Sequence, residues 1–184
     1  MTSAWIGVRG LERWEALERL RLVDTGRAAD VQNDLLALTE SPKGWTIIRS
    51  LKFAYPTHKR LAKLSLGADV VAALFQVGVG VSGAEGWRGG RMTWSVSHQV
   101  WNGVYDLVVK GDPPSVLRDI DLQQRDYQDR AGGTPADGDF VFMTPLFLAR
   151  EVCGYFPTEG SELDFTALEP APSLLARVFR RGKT

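Results

Sequence analysis

The chain has 184 residues, 44% hydrophobic and 24% charged, with a formal net charge of zero. That suits one globular domain with a substantial core. No apolar run approaches the ~18 residues of a membrane-spanning helix. The single cysteine, Cys153, cannot form an internal disulfide, and its flanks match no metal or redox motif. The opening MTSAWIGVRGLERWE lacks the basic-then-apolar order of a secretion signal, so a cytoplasmic protein is expected.

In chain order, Trp5-Ile6-Gly7-Val8 reads as a short strand. Leu11, Trp14, Leu17 and Leu20 recur at near-helical spacing between acids and arginines, which predicts an amphipathic helix. Thr25-Gly26 ends it, and 28–38 reads as a weaker second helix. Ser41-Pro42-Lys43-Gly44 signals a turn into a strand at Trp45-Thr46-Ile47-Ile48. Ser65-Leu66-Gly67-Ala68-Asp69 is read as the cap of a helix carrying Val70, Val71, Leu74 and Phe75.

Two strands are expected over about 77–82 and 91–98, joined by a glycine-rich hairpin loop at 83–90. Asn102-Gly103 is a strong reversal signal and leads to a further strand at 104–110. Within this hairpin, Met92, Trp94, Val96 and His98 alternate onto one face. Asp112-Pro113-Pro114 is a helix entry, followed by a narrow stripe of Val116, Leu117, Ile120 and Tyr127. Residues 129–139 read as a flexible loop and Phe140-Val141-Phe142 as a short strand. Thr144-Pro145 opens a helix closed by Gly154, and Leu174, Leu175, Val178 and Phe179 suggest a terminal helix. The pattern predicts a single α+β domain: a mainly antiparallel sheet with a central hairpin and helices packed against it.

Charge is unevenly spread. Residues 41–110 hold 9 basic and 3 acidic residues, whereas 111–170 hold 4 basic and 12 acidic. A folded surface can mix these signs, but an acidic face would steer a basic partner.

Chemical motifs are sparse. Gly78-Val79-Gly80-Val81-Ser82-Gly83 has the letters of a dinucleotide fingerprint without the preceding strand and following helix that the motif needs, so a close-packed or bulged strand is the better reading. His98, with Asp106 across the turn and Tyr105 beside it, is the one general-base candidate, set against a histidine satisfied by backbone at a strand end. His58, Lys59, Arg60 and Lys63 form a small basic patch with no stacking platform, more simply a solvated helix start. No metal-ligand spacing is present, and no cofactor is expected. Of the six tryptophans, Trp5, Trp14, Trp45 and Trp94 fall at core-like positions, while Trp87 and Trp101 fall in predicted loops as candidate partner anchors.

The order of several segments resembles a type of small bacterial protein. These are Gly44-Trp45 before a strand, Leu64-Ser65 before the Val70-Val71 segment, Trp94-Ser95-Val96-Ser97-His98, Gly111-Asp112-Pro113-Pro114, and Phe140 to Pro145 leading to Gly154-Tyr155. Proteins of this look are similar to immunity proteins encoded beside a toxin that they bind and silence. The resemblance implies a non-catalytic inhibitor of a cognate toxin. That toxin would be basic and directed at nucleic acid or nucleotides, and the inhibitor itself would bind neither nucleic acid nor membrane. Its docking face is expected to draw on Trp87, Trp101, Asp112, Asp119, Asp121, Asp126, Asp129, Asp137 and Asp139, the acids covering the toxin's cleft. The alternatives are a small enzyme using His98 and Asp106, or a structural scaffold.

Overall fold

The computed structural model describes residues 2–134, 138–157 and 163–172. Among the described residues, nine strands form one antiparallel sheet: β1 Thr2–Arg9, β2 Leu22–Ala28, β3 Leu36–Glu40, β4 Thr46–Ser50, β5 Asp69–Gln76, β6 Val81–Arg88, β7 Arg91–Gln99, β8 Val108–Gly111 and β9 Thr166–Pro170. Their spatial order is β2-β9-β3-β4-β1-β5-β6-β7-β8. Helices α1 Arg13–Leu20, α2 His58–Leu64, α3 Leu117–Arg130 and α4 Thr144–Cys153 pack on it, giving the α+β fold expected.

The period-2 geometry of strands splits the core into two layers. Trp5, Ile47, Val71, Ala73, Val96 and Ala167 face α3 and α4, which contribute Leu117, Ile120, Leu146, Leu148 and Cys153. Ile6, Val8, Ile48, Val70, Ala72 and Leu168 face α1 and α2, which contribute Ala16, Leu17, Leu61 and Leu64. Arg19 of α1 ties the two helices together by donating to the carbonyls of Lys63, Leu64 and Leu66 at 3.2, 3.0 and 2.6 Å. Those carbonyls at the end of α2 have no partner within the helix itself.

Several elements differ from expectation. The Val70-Val71-Leu74-Phe75 segment is β5, because both of its faces are covered and a run apolar on both sides loses the alternation that marks a strand. The helix lies upstream as α2, capped by the Thr57 side chain accepting from the Arg60 N–H at 3.3 Å. Residues 28–38 hold the end of β2, a turn built on Asp30 and the start of β3, not a helix; the Asp30 carboxylate accepts from the N–H of Gln32 at 3.0 Å. The expected loop 83–90 is mostly strand β6, and only Gly89-Gly90 turns.

Phe140-Val141-Phe142 enters a 3-10 turn rather than a strand, and α3 starts at Leu117, beyond the Asp-Pro-Pro entry. Trp14, expected in the core, is 65% exposed, since the eight-residue α1 turns Ala16 and Leu17 inward instead. The helix closed by Gly154 forms as expected, with φ 72° at that glycine. The expected helix through Leu174–Phe179 lies outside the described residues.

The predicted hairpin over Arg91–Lys110 forms as β7 and β8, but its second strand begins at Val108 rather than 104, after a 3-10 turn at Val100–Asn102, and it closes one end of the strand order instead of lying centrally. A β-bulge interrupts its other partner: Trp87 pairs with Met92 but Gly86 pairs with Trp94, leaving Thr93 unmatched. The bulge puts Met92 opposite Trp87 and exposes it, so the predicted stripe loses Met92 and keeps Trp94, Val96 and His98. Gly111 closes against this irregularity with φ 73°, where a Cβ would stand 2.1 Å from the Thr93 carbonyl oxygen. Gly111→Ala is therefore expected to destabilise by about 3 kcal/mol in equilibrium urea unfolding. Gly26→Ala, also at positive φ but with nothing within 4 Å, should lose only about 1 kcal/mol.

Candidate functional site

His98 sits on the α3–α4 side of β7, fully buried. Nδ1 lies 2.7 Å from the backbone carbonyl of Asp106, so that nitrogen is the donor. Nε2 lies 2.7 Å from Oδ2 of Asp139. The carboxylate that orients the ring is thus Asp139, 41 residues away in sequence, not Asp106. The Asp106 carboxylate instead accepts from the Gln99 N–H at 3.3 Å. Tyr105 is turned to a different partner: its hydroxyl donates to Asp129, and this hydrogen bond raises the phenol above its usual range.

Asp139 also accepts from the Phe142 N–H at 3.0 Å and so starts the 3-10 turn ahead of α4. Beside it, the fully buried Gln128 donates to the carbonyls of Gly133 and Gly138 at 2.8 and 3.0 Å and accepts from the Phe140 N–H at 2.9 Å. Gln128 thus ties both ends of the loop back to α3, and Asp139 ties its far end to the sheet through His98. The sequence signal for Gln128 was its i+4 spacing from Gln124 and i+8 from Ile120, which extends the apolar stripe with amides.

The expected docking residues scatter. Trp87 belongs to strand β6, is 7% exposed, packs against His58 at 5.3 Å and donates from Nε1 to Glu85 at 3.0 Å. Trp101 is 60% exposed. Asp121 and Asp126 pair with Arg125 and Arg130 one turn on, at 2.9 and 2.8 Å. With Asp119 and Asp129 also on it and Arg118 added, α3 carries four acids against three arginines, a net of −1. Asp112 is exposed beside the prolines, Asp119 is exposed on α3, and Asp137 lies outside the described residues.

Two surface features remain. At one corner of the sheet, 3-10 turns at Val77–Val79 and Val100–Asn102 meet, with the Val100 N–H donating to the Gly80 carbonyl at 2.9 Å. Val77, Val79, Val100 and Trp101 are all exposed there. The corner adjoins the start of β8, a strand exposed at all four residues and bordered on one side only among the described residues.

At the opposite end of the strands, a cleft of about 820 Å³ opens where β1 ends, β5 begins and β6 meets the bulge. Arg9 and Arg88 both bind Asp69, at 3.3 and 2.6 Å, and with Arg88 as the stronger donor they hold its carboxyl below the usual carboxylate range. The Arg9 guanidinium lies 4.6 Å from the Trp45 ring centre. Trp94 reaches the cleft because residue 86 is glycine; a Cβ there would stand 2.0 Å from the indole nitrogen.

Among the described residues, no group of three or more His, Cys, Asp or Glu is arranged to hold a metal, and no helix is long and apolar enough to cross a membrane. No protein-family model matches the chain, and no curated protein or solved structure proved similar to it.

Burial pushes the Cys153 thiol up to about 11. Native protein should therefore resist a thiol-specific chromogenic reagent at neutral pH and react promptly once unfolded in denaturant. Asp139→Ala leaves His98 sealed without its carboxylate and should cost about 3 kcal/mol in chemical unfolding.

Proposed function

We propose that this protein works by binding another protein, and that the partner is a toxin which it silences. The observation that carries the reading is the exposed apolar corner of Val77, Val79, Val100 and Trp101 beside an edge strand. An exposed tryptophan among aliphatic side chains is the residue type that dominates binding energy when covered by a partner. The outer edge of β8 offers free backbone N–H and C=O groups that a partner strand can pair. An inhibitor of this kind needs a rigid surface and no chemistry of its own, and the corner consists of two short 3-10 turns at the ends of paired strands, held together by the Val100 N–H to Gly80 carbonyl bond.

The acidic residues of α3 support the reading less than their number implied, because arginines of the same helix offset them. Attraction to a basic toxin would then rest on Asp112, Asp119 and Asp129, with the apolar corner supplying the affinity. The rival reading, a small enzyme built on His98, has weaker support: both ring nitrogens are engaged and the side chain has no exposure.

Co-expression with a toxin encoded beside the gene should give cell survival and a complex recoverable by co-purification. Trp101→Ala should weaken that complex by at least about tenfold in titration calorimetry without shifting the thermal midpoint. A toxin that still kills, with no complex recovered, overturns the proposal.

A further inference from the structure

The cleft at the end of β1, β5 and β6 has a composition that the partner-binding reading does not use. Its one wall is the Arg9–Asp69–Arg88 triad, with two guanidinium groups on a single carboxylate. Asp69 spends both oxygens, one on each arginine. Arg88 engages only Nε and Arg9 only one terminal nitrogen, so each keeps further N–H donors without an acceptor among the described residues. The triad carries one net positive charge, and its free donors have the fork geometry that suits a carboxylate or a phosphate.

The rest of the lining is mixed: Trp45, Trp94, Pro113 and Pro114 supply flat apolar surface, and Thr93 and Ser115 add polar groups. The Trp45 indole N–H is buried without an acceptor among the described residues. Asp112 stands on the proline side, so the cleft is positive at one end and negative at the other.

The local backbone is shaped to make this space. The bulge at Thr93 and the positive φ of Gly111 against the Thr93 carbonyl depart from an ordinary ladder, and Gly86 leaves room for the Trp94 indole. Bulges of this sort recur beside binding sites because they re-aim side chains. A volume of about 820 Å³ accommodates a small organic molecule.

We infer that this cleft binds a small organic anion with a flat apolar body. Its carboxylate or phosphate is held by the free donors of Arg9 and Arg88, and its ring lies between the tryptophans and the prolines.

The test uses the full chain and follows the tryptophan indole N–H signals by two-dimensional NMR. Benzoate and phenyl phosphate are titrated in separate arms, with benzyl alcohol as the uncharged control. The expected result is saturable shifts of the Trp45 and Trp94 signals with at least one anion and not with the alcohol, the tighter arm identifying carboxylate or phosphate. Arg88→Ala, a change at a largely exposed side chain, should weaken binding by about tenfold. Asp69→Asn removes the competing carboxylate and should tighten binding. If the triad serves only to clamp three strand ends, Asp69→Asn lowers stability and does not improve binding. That result overturns the inference. So do equal shifts with benzyl alcohol, an Arg88→Ala protein of unchanged affinity, or no saturable shift with either anion.

Discussion

Everything in this fold depends on β1 being buried on both sides. It pairs with β4 along one edge and β5 along the other, and Ala4, Trp5, Ile6 and Val8 lose almost all solvent contact. Its alternation sends Trp5 to the α3–α4 layer and Ile6 and Val8 to the α1–α2 layer, so one strand anchors two cores. Gly7 completes the arrangement. A Cβ there would stand 3.0 Å from the Cβ of Cys153, so the absent side chain lets α4 settle close to the sheet. Two-sided burial explains the apolar run over residues 70–75 in the neighbouring β5 and why helices are needed on both faces.

The two layers are secured differently. On the α1–α2 side, Arg19 closes the end of α2, and Glu85 joins Trp87 to His58 at the start of the same helix. On the α3–α4 side, buried polar groups do the joining: His98 with Asp139, and Gln128 with the loop carbonyls. Each of these groups is satisfied, which is the condition under which polar side chains in a core specify one arrangement rather than weaken it. In place, the histidine fastens β7 to the turn ahead of α4 through Asp139. The side chains left exposed at the surface and not explained by packing include those of the Trp101 corner and of the arginine cleft.

Local signals served well where one element faces water on one side or ends in a special backbone conformation. The α4 boundaries were readable from Thr144-Pro145 and Gly154, since a proline in the first turn and a left-handed glycine at the end act locally. The strand at Trp45–Ile48 followed from β-forming residues, and Asn102-Gly103 marked the β7–β8 reversal but not its length, since β8 starts only at Val108. The same reasoning misplaced β5, whose Val-Val-Ala-Ala-Leu-Phe run has no polar face to set its period. It also placed Met92 with Trp94, because a one-residue bulge inverts every facing beyond it and leaves no mark in composition. Trp87 and Asp139 were read as surface residues from glycine-rich and acidic surroundings, and both turned out to be engaged in the interior.

The sequence by itself determined the class of protein: an α+β fold of ordinary composition, with α4 bounded by Thr144-Pro145 and Gly154, and a single cysteine. These properties depend on residues within a few positions of one another, where propensity, periodicity and turn chemistry act. Tertiary structure decided which acids are free and which are paired, which tryptophan is exposed, which carboxylate meets His98 and where two arginines converge on Asp69. Those facts arise from strands brought together across long stretches of chain, such as Asp69 beside Arg9 at a separation of 60 residues. The pairing register and the bulge, not any local motif, placed the candidate binding groups side by side.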